Sequence, residues 1–218
     1  EGDNLAVKFA RELNEEVNNT ELKTITTDQF DADHNPITYE IPIGELNRKR
    51  TAAAGSSKEY YQRVEGKKNQ YLSQIKNPNV QREFLKNIVT HVDTYGNAII
   101  KNETTEYNEA SKDDLSAFTA SEMVTYPLMS ETDRLKSIET ITGKIDEQYK
   151  RGVLNYNETQ NRKDDMWDEV FRQDAKAYTN EEMATRAKGG QYKWPDSKKV
   201  DTALSTLNHH KELEKKQL

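Results

Sequence analysis

The segment SETDRLKSIETITGKIDEQYKRGVLNYNETQNRKDDMWDEVFRQDAKAY, from Ser130 to Tyr178, constrains the fold most strongly. Ser130 to Asp133 is a helix-start pattern, and Leu135, Ile138, Ile141, Ile145 and Tyr149 then recur at helical spacing. Lys150 and Arg151 suit the negative end of that helix dipole, and Gly152 supplies a left-handed turn. Asn155 to Glu158 opens a return helix carrying Tyr156, Lys163, Trp167, Val170, Phe171 and Tyr178, with the Lys163 stem laid along the apolar stripe. The pattern predicts an αα-hairpin hinged at Gly152. It specifies an architecture and no chemistry.

The same alternation of cap, stripe and stop runs through most of the chain. Leu5, Phe9, Leu13 and Val17 predict a helix over residues 4–18, and 44–54 a short helix capped by Gly55. Ser56 to Glu59 form a second capping box, followed by the stripe Tyr60, Val64, Tyr71, Leu72 and Ile75 to about Lys76. Val80, Phe84, Ile88, Val92 and Tyr95 mark a further helix ended by Gly96. Residues 97–110 lack an apolar period and predict a loop holding at most one strand around Ile99. A short helix with Leu115, Phe118 and Met123 follows, capped at Ser111 to Asp114 and stopped before Pro127. Thr179 to Glu182 cap another short helix, and Asp196 opens the last, with Val200, Ala203, Leu204, Leu207 and Leu213 as its stripe and a terminal KELEKKQL expected to fray or continue.

One stretch breaks the helical pattern. Residues 20–43 are rich in Thr, Ile and Tyr, and two extended runs flank the turn-forming cluster Asp31 to Pro36. The expected fold is mainly α: an array or elongated bundle of helical hairpins with one β-hairpin or extended arm near residues 20–43. Three segments are expected, 1–43, 44–127 and 128–218, or one continuous domain; a start at Glu1 fits a processed product or part of a longer polypeptide.

Composition limits how such helices are stabilised. Only 33% of the 218 residues are hydrophobic, 32% are charged, and the mean hydropathy is -1.06. Thin cores follow, with stripes completed inside an elongated domain or by neighbouring subunits. The absence of cysteine excludes disulfides, thiolate metal sites and cysteine catalysis. No run approaches the ~20 apolar residues of a membrane span.

Charge is banded. Lys and Arg against Asp and Glu number three to ten over residues 1–40, eight to three over 45–76, and four to eleven over 102–148. Head-to-tail or intersubunit charge complementarity explains such bands most simply. The sharper reading takes Arg48, Lys49, Arg50, Arg63, Lys67 and Lys68, interleaved with Tyr60, Tyr61 and Tyr71, as a nucleic-acid or partner contact.

No catalytic, cofactor-binding or metal-binding residues are assigned. Asp31, Asp33 and Asn35 have the spacing that opens a calcium loop, but Pro36 takes the glycine position and Pro42 that of the closing glutamate. His34, His91, His209 and His210 form no ligand motif, and His91 reads as partly buried beside a stripe. Phosphate-binding and nucleophile-elbow motifs are absent, and nothing singles out a catalytic pair among 38 carboxylates. Trp167 and Trp194 read as packing residues and not as a sugar platform.

IDEQYKRGVLNYNETQNRKDDMW, from Ile145 to Trp167, resembles the helical-hairpin modules of long helical phage virion proteins of the internal, ejection and tape-measure-like type. The resemblance covers about a tenth of the chain and transfers no functional residue. It implies a non-enzymatic virion component that assembles with its own copies and with portal or tail proteins. The alternatives are a helical nucleic-acid- or partner-binding module using residues 45–76, with DNA as a partner, and a noncatalytic part of a virion-associated enzyme.

Overall fold

The computed structural model describes residues 1–196 and 198–217, with side chains described as far as His209. Expectations for Leu213, His210 and the terminal segment therefore lie outside the described side chains. Helix accounts for 75% of the chain, with seven α-helices and one two-stranded antiparallel sheet among the described residues. The fold is mainly α with one β-hairpin, as the apolar periodicities predict. Contacts divide the chain into two compact units, Glu1–Ala110 and Ser111–Leu218, with the division inside the sequence segment 44–127.

In the first unit, α1 (Gly2–Val17) buries Ala6, Phe9, Leu13 and Val17 along one stripe. They meet Tyr60, Val64 and Tyr71 of α2 (Ser56–Gln74), and Phe84, Ile88 and Ile99 of α3 (Pro78–Thr125). Phe9 stands edge-on to both Tyr71 and Phe84, with centroids 5.5 and 5.7 Å away, and Tyr71 stacks on Phe84. These ring contacts supply area and directional packing in a small core. Burial raises the Tyr71 phenol to about 12.

Between α1 and α2 the chain makes a hairpin, β1 (Leu22–Phe30) and β2 (Pro36–Pro42), and two 3-10 turns, Glu45–Asn47 and Arg50–Ala53. The short helix expected over 44–54 does not form. Arg48 adopts an extended backbone, and its inward-turned guanidinium binds the carbonyls of Pro42 and Ile43 at 3.1 and 2.9 Å. Gly44 sits against the end of α1, where a Cβ would lie 2.6 Å from the Val17 carbonyl.

The largest departure from the sequence expectation is α3. A single helix runs through Gly96, through the expected loop at 97–110 and through the expected cap at Ser111. The helical period persists there, but polar residues carry it: Ile99, Asn102, Glu103 and Glu106 share one face. Ile99 is fully buried, Asn102 donates to the carbonyls of Glu45 and Arg48, and both glutamates bind backbone amides. An apolar-stripe criterion misses such a face.

In the second unit, the C-terminal part of α3 packs with α4 (Glu131–Lys150), α5 (Tyr156–Ala177), α6 (Asn180–Lys188) and α7 (Lys198–Gln217). α4 ends in a Schellman turn. The Val153 amide reaches the Gln148 carbonyl at 3.0 Å, the Gly152 amide reaches Tyr149 at 3.0 Å, and Gly152 has φ +73. Asn155 and Glu158 then form the reciprocal capping box that starts α5. Ile138, Ile141 and Ile145 are buried as their spacing requires, whereas Leu135, Tyr149 and Tyr156 are exposed because they flank the contact face. Lys163 reaches back to Asp146 at 2.6 Å.

Trp167, Phe171, Tyr192 and Trp194 form an aromatic cluster, and Trp194 Nε1 donates to Asp168 at 2.7 Å. Beside it Asp174 is buried among two phenols and two guanidiniums. Tyr126 and Tyr192 donate at 3.3 and 3.0 Å, and Arg134 and Arg186 approach to 3.5 and 3.7 Å. A carboxylate this deep requires such hydrogen-bonding and charged partners.

Candidate interaction surface

The basic residues singled out in the sequence each meet a carboxylate within their own unit. Arg48 is 1% exposed and contacts Glu59 at 2.9 Å. Lys49 and Arg50 both engage Glu106. Arg63 binds Glu16 and, at 2.9 Å, the buried Glu45, while Lys67 lies 2.9 Å from Glu12 and 2.5 Å from Glu16. Lys68 pairs with Glu65 one helical turn earlier. Their partners lie on α1, α2, α3 and a 3-10 turn. Acidic flank and basic band are complementary inside one unit.

Glu106, Glu12 and Glu103 have depressed pKa values for distinct reasons. The Arg50 amide is the largest influence on Glu106, with Lys49 and Arg50 charge adding to it. The Lys67 hydrogen bond dominates at Glu12. At Glu103 burial pushes upward, yet the hydrogen bonds from Ser57 and the Gly55 amide outweigh it. Glu103 thereby caps α2, taking the place expected for the Ser56 to Glu59 box; Ser56 is buried and Glu59 instead serves Arg48 and Lys23.

The aspartates of the hairpin turn are structural. Asp31 Oδ1 accepts the amides of Asp33 and Asn35 at 2.9 and 2.8 Å, and His34 occupies φ +63 between them. That geometry explains the calcium-like spacing without an ion. Among the described residues no group of three or more His, Cys, Asp or Glu has metal-holding geometry. His91 is exposed, not partly buried as its position beside the stripe suggests, because it sits on the outer face of α3.

The hairpin carries an apolar face that is only partly covered. Lys23↔Ile41 and Ile25↔Tyr39 pair across the strands, which places Lys23, Ile25, Tyr39 and Ile41 on one face, joined by Ile37. Near the base, Ile41 is buried and Lys23 pairs with Glu59 at 3.2 Å. Towards the tip the apolar face loses its cover: Ile37 is 39% exposed and Tyr39 46%. A lone two-stranded ribbon is marginal in water, so an apolar face left open beyond its support requires further contact.

The second unit has an open cleft of about 570 Å³ lined by Leu115, Met123, Ile145 and Met166, with Arg162 and Arg172 at its edge. Val124 and Leu128, 77% and 89% exposed, lie at the same end of α3. These residues offer packing surface. No helix among the described residues is long and apolar enough to cross a membrane. No family model, curated protein or solved structure matches the chain.

Proposed function

We propose that this chain is a structural assembly protein, a phage virion component of the internal or ejection type, which acts by packing against copies of itself and against other virion proteins. The arm of residues 20–43 carries the argument, because its apolar face extends past the part of the unit that supports it. The exposed Val124 and Leu128 of the second unit support the same reading. The virion assignment rests on the resemblance of residues 145–167 to internal and ejection proteins.

Each of the six cations already faces a carboxylate, which weighs against the nucleic-acid reading. Light scattering coupled to size-exclusion chromatography tests the assembly reading. The expected result is a mass above that of one chain that rises with concentration; a strictly monomeric particle at every concentration overturns it.

A further inference from the structure

Resting on the assembly reading, we infer that the outer edge of β1 is a self-pairing interface: two copies join β1 to β1 antiparallel about Ile25, giving a four-stranded sheet in the order β2, β1, β1, β2. Hydrogen-bond parity determines which edge is available. The Ile43 amide donates to the Glu21 carbonyl at 2.8 Å, so residues 21 and 43 form a hydrogen-bonded pair. Alternation along the ladder makes 23/41 and 25/39 hydrogen-bonded pairs too, and leaves 22/42, 24/40 and 26/38 with their amides and carbonyls pointing outward.

On β1 the outward groups belong to Leu22, Thr24 and Thr26, all exposed, and none has a hydrogen-bond partner among the described residues. On β2 they belong to Thr38, Glu40 and Pro42, and proline lacks the donor. β1 is therefore the better template. It also lacks the lysine or proline at outward positions that blunts an edge against pairing.

The edge is compatible with a second copy of itself. Setting Ile25 against its counterpart pairs Thr24 with Thr26 in both directions and Lys23 with Thr27, and places no like charges opposite each other. The apolar face becomes one row, Tyr39, Ile25, Ile25 and Tyr39, and two strands become four, which meets the requirement a lone ribbon fails. A two-fold axis through the Ile25 pair closes the assembly, so one interface yields a dimer and not a fibre.

The test uses the full chain with Thr24→Pro. That substitution removes an outward amide and leaves the β1–β2 ladder intact, so the circular dichroism should match the parent. The expected result is a rise in the dimer dissociation constant of at least about tenfold. Because the chain has no cysteine, Ile25→Cys under oxidising conditions should cross-link two copies, whereas Thr24→Cys should not. An oligomer that persists in the proline variant, without cross-linking at position 25, overturns the edge pairing and leaves the assembly reading standing. A parent chain that is monomeric throughout overturns both.

Discussion

The carboxylate of Glu103, in the middle of α3, accepts the Gly55 amide at 2.6 Å and so caps the first turn of α2, forty-eight residues earlier in the chain. Its second oxygen takes the Ser57 amide at 3.1 Å. One side chain thus satisfies two otherwise orphaned helix-start donors and ties α2 to α3. Glu103→Ala should lower the stability of the first unit by about 1–2 kcal/mol, and Glu103→Gln by less, because an amide oxygen still accepts. Urea denaturation of the three proteins checks the order, and an alanine variant as stable as the parent refutes the capping role.

The same network makes the first unit acid-sensitive. Glu12, Glu103 and Glu106 titrate below the ordinary 4.5 when folded. For a depressed carboxylate the contribution is complete above the unfolded pKa and disappears as pH falls through the folded one. Stability should therefore hold from neutrality to about pH 5 and decline below about 4.5. Thermal melts across that range should show the fall, and Glu106→Gln should flatten it.

Gly152 occupies φ +73 with nothing near its missing Cβ, so only backbone conformation opposes a side chain there. Gly152→Val should cost about 1–2 kcal/mol or more, and Gly152→Asn distinctly less, since Asn tolerates the left-handed region. Equal losses in the two variants would point to packing instead of backbone strain.

Asp174→Asn removes the charge facing Arg134 and Arg186 and leaves the volume unchanged. Breaking a buried pair from one side typically costs about 3–5 kcal/mol. The second unit should then melt well below the parent, with near-ultraviolet circular dichroism reporting loss of order around Trp167 and Trp194. Replacing Glu131, which meets Arg186 at a far more exposed position, should have little effect.

The helical hairpin of α4 and α5 was legible because every device that makes it is local. Ser130, Gly152, Asn155 and Glu158 act within a few residues of themselves, and the isoleucine spacing reports the buried face directly. The β-hairpin was legible from its Thr and Ile content and its Asp31 turn. Residues 97–110 were not, since Asn102, Glu103 and Glu106 look like solvent-facing loop residues until their partners near Glu45 to Ser57 are known.

The basic band separates the two kinds of information most clearly. Sequence alone established that residues 45–76 are positive between acidic neighbours, because a count of charges needs no geometry. Tertiary structure decided where that charge goes: Arg48 turns inward, and Arg63 and Lys67 face the glutamates of α1. A long cationic side chain finds its counter-ion among residues dozens of positions away, and only the packing of helices brings those residues within 4 Å. The open arm belongs to the same class, since exposure depends on what the rest of the chain leaves uncovered.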